Sequence, residues 1–166
     1  MLETITRTIA ESELREWVIW LLFNVPGLPP ILQSLHILTI SVIVGTIGIT
    51  QLRILNIAVI AQDPVDLVQR YERVLKWSLG FALVTGILFV IARPARYFLN
   101  PVAGGKFAFL ALAILLTVAL FSMVRNRRDI DWTIRGLTLT STLCWIGVIF
   151  GGRWIAYVDY LFWDEM

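Results

Sequence analysis

His36 is the sole histidine of the chain, and it stands in a run from Trp17 to Leu52 that contains no Asp, Glu, Lys or Arg. An imidazole among apolar residues can ligate haem iron, carry a proton or hydrogen-bond a quinone, and an ionisable group at membrane depth is a functional candidate by default. Three cations belong with it. Arg96 follows the second apolar run, Lys106 opens the third and Arg153 closes the fourth. Alternate crossings of a bilayer bring these three to the membrane side nearest His36, together with Arg93, Tyr97, Asn100, Tyr157 and Asp159. A basic rim above an imidazole could receive propionates, a carboxylate or a phosphate while the apolar part of the ligand lies near His36, so haem b and a quinone are the cofactors this chemistry admits. The plain alternatives are a neutral imidazole hydrogen-bonded to the next helix, and basic side chains that snorkel to lipid phosphates.

Other chemistries find little support. A haem held between two imidazoles cannot form within one copy, and one His, one Cys and three Met offer no metal-ligand spacing. Asp159 is the only acid of the rim and no serine accompanies it, which disfavours a hydrolytic triad. Cys144 lies mid-span among small residues, where an apolar setting makes it a packing residue rather than a nucleophile.

The elements that must position these residues follow from composition. Of 166 residues, 58% are hydrophobic and 16% charged, with a mean hydropathy of +0.78, which excludes a disordered or ordinary soluble protein. Charge-free gaps between Glu16 and Arg53, Lys76 and Arg93, Lys106 and Arg125, and Arg135 and Arg153 announce a polytopic membrane protein. The net charge of +2 then reflects basic residues flanking membrane helices, and nucleic acid is set aside as a partner. The first ten residues lack a basic stretch before an apolar core, so no cleavable signal is expected and the first span serves as its own insertion signal.

The expected architecture is an all-α membrane bundle of four spans in one domain over residues 1–166. The spans are placed at about 31–52, 76–92, 106–124 and 134–153. The first, 22 residues long, would extend about 33 Å. Residues 2–16 read as a surface helix without a capping box at Ser12, and Trp17–Val25 as a short interfacial segment, together an amphipathic stretch over 2–25. Gly27, Pro29 and Pro30 launch span one, and 154–166 forms an aromatic interfacial tail. Arg125, Arg127, Arg128, Asp129 and Asp131 read as an exposed loop. Eight Lys and Arg flank one side of the spans and six the other, favouring both termini outside a bacterial inner membrane.

Small residues mark where helices approach closely in a bilayer. Gly136, Thr140, Cys144, Gly147 and Gly151 share one side of span four, and Ser34, Ser41, Gly45 and Gly48 form a stripe on span one, with His36, Thr39, Thr46, Thr50 and Arg53 towards its other side. Two seams on one helix predict neighbours on both flanks.

Leu32–His36 (LQSLH) with Gly45, Gln51–Asn56 (QLRILN), Gly80–Phe89 (GFALVTGILF), Arg96–Pro101 (RYFLNP) and Lys106 together resemble an uncharacterised bacterial family of small membrane proteins, known only as a domain of unknown function. The resemblance covers about residues 17–128. The chain differs from that family's pattern at Gln51, where an acid is common, and at Ser122–Arg125, where a histidine often follows span three. More remotely, His36, the arginine ending its span and Lys106 are similar to positions in membrane-bound protoporphyrinogen oxidases and copper-resistance D-type proteins. That resemblance would tie His36 and Lys106 to haem or porphyrin, with the metal at His36.

The leading functional expectation is a non-catalytic accessory or scaffold subunit that binds a membrane protein partner or further copies of itself within the lipid bilayer. The alternative is a haem-, porphyrin- or quinone-binding redox protein that uses His36 under Arg96, Lys106 and Arg153. A small-anion transporter is least favoured, because no repeat relates the two helix pairs.

Overall fold

The computed structural model describes residues 2–126 and 129–162, with side chains described except at 101 and 156–162. It is all helical among the described residues: α1 (Leu2–Ala10), α2 (Glu13–Asn24), α3 (Leu28–Ile54), α4 (Pro64–Ala92), α5 (Pro94–Phe98), α6 (Pro101–Asn126) and α7 (Trp132–Phe162). Within these, Leu28–Ile54, Pro64–Ala92, Val102–Asn126 and Trp132–Ile155 are long and apolar enough to cross a membrane. Each contains one of the expected charge-poor stretches.

Local chemistry fixes the ends. Gly27 adopts φ 78, a left-handed conformation that glycine reaches without penalty, and the prolines at the start of α3 cost nothing where the amide hydrogens have no intrahelical partner. Asp63 caps α4, its Oδ1 accepting from the amides of Val65 (2.8 Å) and Asp66 (3.3 Å), with Pro64 in the first turn. Pro94 ends α4, since it cannot donate the next helical hydrogen bond. Asn100 Oδ1 accepts from Val102 N (2.9 Å) and Asp131 Oδ1 from Ile134 N (2.9 Å), which start α6 and α7.

Three expectations about helix extent need correction. Residues 2–16 are not one helix: the chain breaks at Glu11 and Ser12, and Ser12 Oγ accepts from Arg15 N (3.3 Å) to begin α2, which runs through Trp17 to Asn24 without a separate segment. The second long helix starts well before Lys76. The Asp63 cap launches it early, and an ion pair from Lys76 to Glu72 (2.6 Å) supports its charged turns, with Arg125 on Glu72 at 3.6 Å. Residues 154–162, expected as a tail apart from the last span, continue α7, and 163–166 lie outside the described residues.

The chain forms two helical hairpins, α3 with α4 and α6 with α7, which meet through α3 against α7 and α4 against α6. The short helices gather at one end: α1 on α5, α2 on α4 and α3. Ile43, Ile47 and Leu75 pack with Leu120, Phe121 and Trp145 in the core. The α7 stripe is a seam only in its second half. A Cβ added at Gly147 would lie 3.3 Å from the Phe109 ring and one at Gly151 3.3 Å from Lys106 Cβ, whereas one at Gly136 meets nothing within 4 Å and Thr140 is exposed. On α3 the small-residue stripe is no internal seam at all. Its partners within the bundle meet Ile43, Thr46, Ile47, Thr50 and Gln51, because larger side chains fill the gap to α4 and α7, while Ser34, Ser41 and Gly45 face outwards.

Candidate functional site

His36 falls two turns into α3, where α4 returns alongside it. Its Nδ1 lies 2.6 Å from Thr85 Oγ1. That hydroxyl also lies 2.9 Å from the carbonyl of Phe81 one turn earlier, the usual destination of a helical threonine proton. With the hydroxyl donating to Phe81 O, it accepts from Nδ1–H, and Nε2 keeps its lone pair. The ring is fixed by the same turn of α4: Cε1 would be 3.6 Å from a Cβ at Gly86, and Phe89 meets it edge-on at 5.8 Å with an 84° interplanar angle. A hydrogen bond, a bare backbone and an aromatic edge thus hold one half-buried imidazole.

Lys106 lies in the early turns of α6 and runs over the α7 glycines. A Cβ at Gly152 would be 3.5 Å from both Lys106 Cε and Nζ. Glycine at 151 and 152 therefore lets the lysine stem pass against α7 backbone, and its ammonium lies within electrostatic reach of His36. Arg96 lies in α5, half-buried, and Arg153 directly follows the glycine pair, exposed. Both are engaged in contacts of their own. Tyr97 packs its ring 6.5 Å from Phe107, and burial pushes its phenol above the ordinary range against the opposing pull of Arg96 and Arg93. The structure therefore brings Lys106 towards His36 and places Arg96 and Arg153 at the same end of the bundle. The side chains of Tyr157 and Asp159 lie outside the described residues.

The arrangement offers one imidazole nitrogen with a free lone pair. Nε2 could be a single axial ligand to haem iron, with Lys106 near a propionate, but the chain contains no second imidazole. A quinone fits His36 less well: its carbonyls need donors, and the imidazole's one N–H is directed at Thr85. No group of three His, Cys, Asp or Glu among the described residues could hold a metal ion.

Residues 28–158, which include all four long apolar helices, match the family of unknown function DUF6644. The chain belongs to DUF6644. No curated protein and no solved structure matches it, so the remote likeness to protoporphyrinogen oxidases and copper-resistance D-type proteins gains no support. The DUF6644 match spans His36, Thr85, Arg96, Lys106 and Arg153 and leaves out α1 and α2.

One polar constellation of this DUF6644 chain escaped sequence reasoning. Gln51 Nε2 donates to Ser141 Oγ (2.9 Å), and Gln51 Oε1 lies 2.8 Å from Thr142 Oγ1, whose one proton is equally within reach of the carbonyl of Thr138 (2.8 Å). Ser141 Oγ lies 3.3 Å from Thr117 Oγ1, which accepts from Trp145 Nε1 (2.9 Å). The network joins α3, α6 and α7 through polar side chains, with Thr117 and Thr142 also against the carbonyls of Ala113 and Thr138. Its one sequence signal was an amide side chain near the end of a charge-free span, where an unpaired polar group would be costly.

Proposed function

We propose that this DUF6644 chain is a non-catalytic accessory or scaffold subunit, seated in a bacterial inner membrane and bound through its first membrane helix to a membrane protein partner or a second copy. The observation that carries this reading is the outward face of α3. A Cβ added at Gly45 or Gly48 meets nothing within 4 Å, and Ser34 and Ser41 are exposed beside them. In lipid, a face of small residues favours close helix approach, and polar hydroxyls on it can bond across an interface. The buried amide and hydroxyls on the opposite side are already engaged within the bundle, so this face is the side of α3 left open. In this reading α1 and α2 lie along the membrane surface as an amphipathic pair, the Arg53 and Arg135 end faces the cytoplasm, and both termini lie outside.

The test is native electrophoresis and differential-tag co-purification from membranes extracted in mild detergent. The expected result is an assembly larger than one chain that Gly45→Leu and Gly48→Leu dissociate. A single-chain species in wild type, or an assembly indifferent to both substitutions, overturns the reading.

A second reading rests on Lys106, whose stem runs along Gly151 and Gly152 to an ammonium within electrostatic reach of His36. In it, the pair receives an anionic apolar ligand such as a haem or porphyrin, with Arg96 and Arg153 outside it. Visible spectra of the purified protein, oxidised and dithionite-reduced, test this. A Soret band lost in His36→Ala supports it, and a featureless spectrum after expression with added haem precursor removes haem and porphyrin.

A further inference from the structure

At the end of the bundle away from His36, a cavity of about 320 Å³ opens between the 55–63 connection and the start of α7. Its charged lining consists of Arg53, Asp63, Asp129 and Arg135, with Val65 and Val124 among its apolar walls. Arg53 closes α3, Asp63 caps α4, Val124 lies in the last turn of α6, and Asp129 and Arg135 bracket the start of α7. Arg53 and Val124 lie at the ends of α3 and α6, both long and apolar enough to cross a membrane, so this side of the cavity falls near the depth of lipid headgroups.

We propose that this cavity binds a zwitterion carrying a primary ammonium and a phosphate ester, the chemistry of an ethanolamine phospholipid headgroup. Two guanidinium groups and two carboxylates line the same space. An anion alone would meet the repulsion of Asp63 and Asp129, and a cation alone that of Arg53 and Arg135; a ligand with both charges satisfies both pairs. The guanidinium groups have donors to give. Arg53 uses Nε on the carbonyl of Gln62 (2.6 Å) and makes only a long contact from Nη1 to Asn56 Oδ1 (3.5 Å). Arg135 lines the same cavity and lies over the Trp132 ring at 5.5 Å. For the carboxylates, the hydrogen bonds that cap α4 fall on Oδ1 of Asp63, and Asp129 is exposed. A primary ammonium can donate to these oxygens, whereas a quaternary ammonium cannot. Val65 and Val124 give the glycerol end an apolar wall, and the volume lies within the range of small-ligand sites, from about 300 Å³ upwards.

The wall is also held in place. The connection contains Asn56 at φ 62 and Val59 at φ 55, left-handed conformations that are unfavourable for side-chain-bearing residues and especially for a β-branched one. The Arg53 bond to Gln62 ties this segment back to α3, so a phosphate on Arg53 would engage a guanidinium that is already oriented.

Native mass spectrometry of the full chain, offered equal amounts of phosphatidylethanolamine, phosphatidylcholine and phosphatidylglycerol with identical acyl chains, tests the proposal. The expected result is phosphatidylethanolamine retained about tenfold over each of the others, the equivalent of one charge-assisted hydrogen bond. Arg135→Gln and Asp129→Asn should each abolish that preference, and Val65→Phe should do so by filling the cavity without changing charge. Arg73→Gln, an exposed arginine outside the lining, should keep it. Displacement of the lipid by excess free phosphoethanolamine would identify a soluble zwitterion as a sufficient ligand, and resistance to it would identify the lipid as the source. Equal retention of the three lipids, a preference for phosphatidylglycerol, or a preference for phosphatidylethanolamine that survives all three lining substitutions overturns the proposal.

Discussion

The two ends of this bundle are built on different terms. Towards Arg53 and Arg135, the two hairpins are joined: buried members of the core run from Ile43 onwards in α3, to Leu75 in α4, from Ala113 in α6 and to Trp145 in α7. Gln51 reaches from one hairpin to Ser141 and Thr142 of the other. Towards His36, two polar groups are held inside their own hairpins, His36 by Thr85 and Lys106 along Gly151 and Gly152. In a bilayer, where apolar side chains gain little by leaving lipid for protein, packing contacts and interhelical hydrogen bonds decide where helices stay together. One end therefore acts as the structural joint, and the other keeps an imidazole and a lysine whose bonds do not fasten the hairpins to each other.

The largest break in that contrast comes from Trp145. It is 7% exposed, fills the joint and donates to Thr117, whereas Trp77 is 78% exposed on the outside of α4. Trp145→Ala should lower unfolding stability in a detergent or bicelle titration by about 3–5 kcal/mol, because it leaves a cavity and removes the Nε1 hydrogen bond to Thr117, whose hydroxyl still donates to the carbonyl of Ala113. Trp77→Ala should change it little, since its ring is largely exposed and outside the core. Similar losses at both positions would mean that the joint is not where the hairpins are secured.

A finer test concerns the amide. Gln51→Ala should cost about 0.6–1.7 kcal/mol, the range for interhelical hydrogen bonds in membranes. A double-mutant cycle with Ser141→Ala should then show coupling, because each partner's loss removes the same contact. Additive losses would remove the amide from the joint.

The sequence exposed this architecture unevenly. Four runs free of formal charge made the four long apolar helices legible, each with the length and composition to cross a membrane. Asp63 and Pro64 were a readable start for α4, but the charged turns up to Lys76 masked it: they are helical through capping and side-chain pairing, not through hydropathy. Ser12 lacks the acid three residues on that completes a capping box, yet its hydroxyl caps Arg15 N on its own. The small residues of α3 and α7 look alike in sequence, yet Gly147 and Gly151 meet α6 and Gly45 meets nothing. Periodicity defines a face but does not say which neighbour comes to it. His36 could be assigned a depth from its place in the run. Its partner Thr85 could not be assigned, and neither could the pairing of Gln51 with Ser141, because both depend on how separate helices are set against each other.

The open end has its own, smaller test in Thr85→Val, which removes the acceptor of His36 Nδ1 and nearly preserves shape. A stability loss of about 0.6 kcal/mol is expected, the average for one such bond in a membrane bundle. The sharper readout is nitrogen NMR of the single imidazole: the wild-type ring should show a protonated Nδ1 and a bare Nε2, and the variant a mixture of tautomers. A wild-type ring protonated on Nε2 would reverse the donor assignment and make His36 a donor towards any ligand beneath the rim.

The smallest effect lies at Tyr97, which reports whether that rim is wet. Burial raises its phenol above the ordinary value, while Arg96 and then Arg93 pull it down. A raised acid is neutral in the fold over a pH interval in which the unfolded chain has already ionised. Its contribution to stability is therefore fully present below the ordinary phenol value near 10 and is lost as pH rises through the higher folded value. The difference in phenolate absorbance between wild type and Tyr97→Phe should rise later than that of a free tyrosine, and Arg96→Gln should delay it further by removing the guanidinium that favours phenolate. If Tyr97 instead ionises at or below the ordinary value, water and the arginines dominate its surroundings. The end above His36 would then be an open basic surface, in contrast to the sealed joint around Gln51.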